Sequence, residues 1–556
     1  MKKLVLLLLS LGSVVLLFSP HRIAHSSTPR RSRPLYAPNQ VLVQLKNGMK
    51  TGHLGPRAVA EQIFPSHVAG SRPVESTGAP GLYQIDLDRS MSVEQAVSQA
   101  KNDPRVDFAE PNYYYYPAET VPNDTLFFQE WDMANSGSQP PGGKAGADIE
   151  ATRAWDITTG SDNVVAAVID TGVDLSNPDL APNAWINPST DDGTGLPNDI
   201  NGWNFLSNNN LVFDPNTDVG GDRGHGTHVA GTIGAVGDNG MLVAGVAWHV
   251  KIMVLKFLGL QSDGSVGGST ADAIKSINFV IAQKKLGINV RVINASWAGP
   301  NPSQGLRRAI VRAGKAGILF VCAAGNSGIG LNMDDPVNAD YPGAWNDIST
   351  LISVAATDNS DNLAEFSNFG HATVTVAAPG VGIFSTFPGP PFFTIMSGTS
   401  MASPHVAGIA VLLAAHEPDL TAPQIKQRIT ATSVPLVSLG SMVMSSGRVD
   451  AFNALTNQIP AAGSPQISAV STTKKFVTLD GINFVNGASV IQVNGAALPQ
   501  TRYDTTYSTA NGAVTRISSK LGKAGINSVF PVGTAVSVTV TNTVTGETSP
   551  VFPFTR

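Results

Sequence analysis

Three short stretches in the middle of the chain each set a chemically competent side chain among glycines. They are Val168-Ile169-Asp170-Thr171-Gly172, His225-Gly226-Thr227-His228-Val229-Ala230-Gly231 and Ser397-Gly398-Thr399-Ser400-Met401-Ala402-Ser403-Pro404. A serine hydroxyl is a poor nucleophile at neutral pH and needs an adjacent base, itself oriented by a third group. Ser400, His225 and Asp170 are the residue types for those three parts, the carboxylate accepting the second imidazole N–H and stabilising the imidazolium. Taken singly, each reads as a helix cap or a turn; taken together, they point to nucleophilic catalysis. His225 and His228 also admit metal binding, but no third ligand follows at the spacing of a zinc protease.

Such groups need rigid elements to hold them. Residues 164–169 form an apolar, β-branched run expected as a buried strand with Asp170 at its end. His225 opens a small-residue helix, and Ser400 starts a helix-like stretch to residue 415. That places the Ser400 hydroxyl and N–H at a helix N-terminus, where the dipole favours developing negative charge. Further short apolar runs at 290–294, 317–324 and 348–355 alternate with helical stretches at 270–285 and 304–315. Continuous apolar strands separated by helices predict a parallel sheet covered on both faces, across residues 122–455.

Read along the chain, the order Asp, His, Ser is that of the subtilisin lineage and differs from chymotrypsin and the α/β-hydrolases. With the flanking motifs, segment 122–455 resembles peptidase family S8, the subtilases. The resemblance implies a subtilisin-like α/β fold and a serine endopeptidase acting on protein or peptide substrates. Ala323-Ala324-Gly325-Asn326 is similar to the family's oxyanion segment, which implies Asn326 as the side-chain donor to the tetrahedral intermediate. The family pattern makes His228 structural, and Cys322 reads as a small buried hydrophobe. Family grooves bind substrate as an extended strand between two enzyme segments. Ser296-Trp297-Ala298-Gly299 matches one edge and Gly264-Ser265-Val266 the other, with Gly325 alongside. Ala298 stands where glycine is usual, so a methyl narrows the expected pocket and broad, mainly hydrophobic specificity is weakened. Ser327 stands where some relatives carry an acid, which removes one reason to expect a basic preference.

The resemblance also implies structural calcium. The set it points to is Asp124, Asp179 and Asn239, with the backbone carbonyls of Val236, Met241 and Val243. Leu242 departs from the glycine often found there. An oxygen-only set with two carboxylates suits that ion.

Composition fits this picture. At 556 residues the chain is too long for one core. A net charge of −5 and a pI near 6.1 leave no basic footprint for nucleic acid. Cys322 is the only cysteine, so no internal disulfide forms and an exported protein needs another staple. Lys2 and Lys3 precede an apolar run over 4–18, and Ala24-His25-Ser26 offers a cleavage site, so residues 1–26 read as a signal peptide. The run falls short of the roughly 20 residues of a spanning helix. The expectation is a secreted monomer with no membrane contact after signal removal.

Residues 36–118 read as a small α+β domain with a capping box at Ser92 and Gln95. Position and the closing Glu110-Pro111-Asn112-Tyr113 make it resemble the inhibitory pro-domain of secreted subtilases. This implies an intramolecular inhibitor whose 113–118 tail lies in the groove and is cut near Ala118–Glu119. The catalytic domain would span 119–456. After a Pro/Gly/Ser linker at 457–465, residues 465–556 alternate as strands and resemble IPT/TIG-type Ig-like domains. Two other readings compete with the peptidase one. A sedolisin-like acid peptidase would use a glutamate base, which the intact His225 motif opposes. An inactive adhesion protein is opposed by four filled catalytic positions.

Overall fold

The computed structural model describes residues 36–556 apart from 47–55, 74–80, 89, 114–118, 139–142, 190–192, 219–220, 329–330, 461–462, 506–512 and 545. The expected signal segment, and the expected groove-binding tail beyond Tyr113, lie outside the described residues.

The central layer is a nine-stranded sheet. Its order is Val434–Pro435, Gly447–Arg448, Val376–Pro379, Leu351–Thr357, Leu319–Ala323, Val290–Ala295, Gly160–Asp170, His249–Lys256, Gly202–Asn204. Every pairing is parallel except that between Val434–Pro435 and its neighbour. Strand Gly160–Asp170 shows why its sequence reads as continuously apolar. Val164, Ala166 and Val168 enter the core on one face, with helices His225–Gly234 and Thr399–His416. Val165, Ala167 and Ile169 enter the core on the other, with helices Thr270–Lys285 and Gln304–Lys315. A strand buried on both faces has no polar side to alternate with. Ser269 and Ser303 cap those two helices, each accepting from the backbone three residues on.

Residues 36–113 form an antiparallel sheet in the order Val68–Pro73, Leu82–Leu87, Tyr36–Leu45, Val106–Tyr113. Helices Pro56–Ile63 and Val93–Lys101 close its core, and the second starts with the Ser92–Gln95 capping box. Beyond residue 465, two four-stranded antiparallel sheets share one core, as a β-sandwich does. That region is not purely β, because helix Gly522–Val529 seals the core with Ile526. It packs on the central domain through a contact between Thr515 Oγ1 and the His371 ring at 3.2 Å. Among the described residues, no helix is long and apolar enough to cross a membrane.

Candidate active site

Asp170 ends its strand as expected, and its Oδ1 lies 2.8 Å from His225 Nδ1. The carboxylate is 1% exposed and the imidazole 15%, so the pair is dry on one side and open on the other. The same Oδ1 accepts the Thr171 N–H. Helix His225–Gly234 is held against that strand end because Gly226 has no side chain; a Cβ there would lie 2.3 Å from the Gly172 carbonyl. Lys256 contributes in a way that sequence reasoning missed. It closes a neighbouring strand, is buried, and donates to the Thr171 carbonyl and to Asp218. A lone lysine at the end of an apolar run gives little signal of this.

Ser400 sits in the first turn of helix Thr399–His416, with Gly398 as N-cap. Pro404, four residues on, has no N–H to give the Ser400 carbonyl. Ser296 Oγ donates to that carbonyl instead, at 2.8 Å, and lies 2.8 Å from Ser403 Oγ. The Ser400 hydroxyl donates to the Ser296 carbonyl at 3.1 Å. Ser296 is therefore buried beneath Ser400, its side chain fixing the helix start rather than lining a groove.

Asn326 lies three residues beyond strand Leu319–Ala323, not on it. Its Oδ1 accepts both the N–H and the hydroxyl of Thr399 at 2.9 Å. With that oxygen engaged, the exposed Nδ2 is the face left for an incoming oxyanion. Gly325 adopts φ 108°, a left-handed conformation that favours glycine, and donates to Thr399 Oγ1. A cavity of about 340 Å³ adjoins these groups, lined by Ala298, Gly299, Gly325, Asn326, Ser400 and six others, Asp340 among them. Gly264 and Val266 lie apart from this cavity, around an exposed turn in which Leu260 pairs with Val266.

His228 is buried, with Nε2 3.1 Å from the Ile383 carbonyl, and burial pulls its pKa down to about 3. Cys322 is buried on its strand, and burial pushes its thiol above the range of a useful nucleophile. Asp132 was also missed. Its carboxylate meets His405 of the Ser400 helix at 2.8 Å, both side chains being at most 1% exposed.

The six calcium candidates converge on one loop. Asp179 accepts from Asn239 Nδ2 and from the Val243 N–H, and its carbonyl accepts the Val236 N–H. The Met241 and Leu242 carbonyls accept from Thr125 and Leu126, tying the loop to the segment that carries Asp124. Asp124 Oδ1 is buried with no hydrogen-bond partner. Burial, followed by the charge of Asp179, pushes the Asp124 pKa up to about 6. Burial and the charges of Asp132, Asp124 and Asp179 hold Glu130 well above its usual range. A cation would relieve this accumulation. Among the described residues, no three histidine, cysteine or carboxylate side chains converge, so any such site depends on amide and carbonyl oxygens.

The subtilase family model matches residues 161–476, and a fervidolysin N-terminal prodomain model matches 24–112. The thermophilic serine proteinase of Bacillus sp. (strain AK1) is 34% identical over 428 residues, 76% of this chain and 88% of that protein. Thermitase of Thermoactinomyces vulgaris is 34% identical over 307 residues, 55% of this chain and 93% of its own. Subtilisin DY of Bacillus licheniformis is 37% identical over 274 residues, covering 49% and 85%. With a family match over more than half its length behind a matching prodomain, the chain belongs to the subtilases, as a serine protease of peptidase family S8.

Proposed function

We propose that the protein is a secreted endopeptidase made as a self-processed zymogen, with Ser400 as nucleophile, His225 as base and Asp170 as its orienting carboxylate. The Asp170–His225 pair, buried on the carboxylate side and open on the imidazole side, carries this reading. His225 takes the Ser400 proton as the hydroxyl attacks a peptide carbonyl, then delivers it to the leaving amine. Asn326 Nδ2 and the helix N-terminus at Ser400 stabilise the oxyanion. The 340 Å³ cavity beside them takes the residue before the cut bond. Ala298 and Gly299 on one side, with Gly264 and Val266 on the other, flank the substrate strand. The N-terminal domain is the intramolecular inhibitor of the same groove. Stoichiometric labelling by a fluorophosphonate tests the nucleophile, and Ser400→Ala should neither label nor mature. A Ser400→Ala precursor that still matures when purified alone would rule out self-processing by Ser400.

Calcium is proposed at Asp124, Asp179, Asn239 and the carbonyls of Val236, Met241 and Val243. The ion supplies charge compensation and a tie between the N-terminal segment and the loop. Chelation should lower Tm by the linkage of a native-state ligand, about 2.7 kcal/mol when the ion is at 100 times its Kd. Asp179→Ala should reproduce that loss, and an unchanged Tm in EDTA would remove the site.

A further inference from the structure

We infer that Asp340 is a specificity-determining residue that selects lysine or arginine immediately before the cut bond. This rests on the proposed reading of the 340 Å³ cavity as the pocket for that residue. Among the cavity's lining residues, Asp340 alone is ionisable. Trp297, Ala298, Pro300 and Ala323 give it apolar walls, while Ser400 and Asn326 stand at the same cavity.

The carboxylate is fixed and not neutralised. Its Oδ2 accepts from Asn368 Nδ2 at 2.7 Å and from Ser327 Oγ at 2.9 Å. Neither donor is charged, no lysine or arginine among the described residues pairs with it, and Oδ1 receives no hydrogen bond from them. Gly325 makes room for this arrangement, since a Cβ there would come within 2.5 Å of Asp340 Oδ2. Ser327 acquires a role here too. The residue after Asn326 is not an acid, but its hydroxyl holds an acid supplied thirteen positions later.

A lysine or arginine stem can lie along the apolar walls while its head group reaches the carboxylate. The resulting charge-assisted hydrogen bond is about twice as strong as a neutral one. An acidic side chain meets like charge, and an apolar one desolvates the carboxylate without replacing its partners. Residues 106–143 contain neither lysine nor arginine, so the zymogen junction lacks the residue the pocket selects. An intramolecular cut tolerates this, because the tethered strand is held at high effective concentration. The released tail is then a poor substrate in trans.

The experiment compares kcat/KM of the matured, fluorophosphonate-titrated enzyme on short peptides that differ only in Lys, Arg, Phe, Ala or Glu at that position. Lys and Arg should exceed Phe by about tenfold or more, the scale of one charged hydrogen bond, with Glu lowest. Asp340→Asn should cut the Lys-to-Phe ratio about tenfold, while Asp340→Glu keeps Lys ahead. Because Asp340 also anchors Ser327 and Asn368, two wild-type readouts stand beside the variants. Benzamidine should inhibit competitively, and raised salt should lower the Lys-to-Phe ratio. Labelled enzyme that favours Phe and ignores benzamidine overturns the role of Asp340 and leaves the protease reading intact. Enzyme that neither labels nor cleaves any of the peptides overturns both.

Discussion

Asp170–His225 and Asp132–His405 are closed by the same 2.8 Å contact, and both lie against the helix that carries Ser400. Their surroundings differ. His225 offers Nδ1 to its aspartate and keeps 15% of its side chain exposed. His405 is fully buried, and its second nitrogen is 2.8 Å from the Met401 carbonyl one turn back. Both His405 nitrogens are engaged inside the fold, and His405 is not among the residues that line the cavity at Ser400. One pair is open on its imidazole side, as the proposed base requires; the other ties the start of the Ser400 helix to the segment around Trp131. Residue type and distance are alike in the two pairs, and access to solvent is what tells them apart.

The largest effect should come from the open pair. His225→Ala is expected to cost about 10⁶ in kcat, a magnitude taken from subtilisin itself rather than from this geometry, with little change in Tm. Active-site-titrated kinetics and calorimetry on the same sample check both halves. A loss near tenfold would mean that His225 is not the base.

Breaking the closed pair should invert that pattern. Asp132→Asn or His405→Leu leaves a buried partner uncompensated, at a cost of about 3–5 kcal/mol in stability. Turnover per folded, titrated molecule should fall much less than for His225→Ala. If Tm holds and kcat collapses, the closed pair takes part in the chemistry and the contrast fails.

A third histidine sharpens the comparison at smaller amplitude. His371 is buried against the C-terminal sandwich beside Thr515, and burial pulls its pKa from 6.5 to about 4. Between these values the unfolded chain binds more protons than the folded one, so stability rises with pH from about 4 to 6.5 and is lost as pH falls through that window. This adds a slope of a few degrees across the window that His371→Gln should remove, over the opposite slope that the raised Asp124 and Glu130 carboxyls give both proteins. Removing residues 458–556 should also abolish the His371 contribution while leaving hydrolysis of short peptides unchanged. A contribution of that sign that survives both changes would place the titrating group elsewhere.

Much of the candidate site is legible in the sequence. Asp170, His225, Ser400 and Asn326 sit in local motifs whose strand ends, helix starts and glycines are written within a few residues. The helix limits are legible for the same reason: the Ser92 and Gln95 capping bonds span only three positions. Contacts between distant segments are not. Ser327 reads in sequence as the absence of a charge, while the acid at the cavity comes from the segment before Tyr341. Ser296 reads as part of the groove edge, yet the missing N–H of Pro404 draws its side chain beneath Ser400.

The sequence alone determined the chemistry on offer and the layered α/β frame, because backbone propensity, capping and apolar runs act over short range. Which aspartate–histidine pair is exposed, which aspartate meets the cavity and which carboxylates crowd the Asp124 loop were decided only by tertiary structure. Asp132 and His405 are 273 residues apart, and nothing local to either specifies the other. Burial, dielectric and the partner of a second nitrogen are properties of the packed molecule.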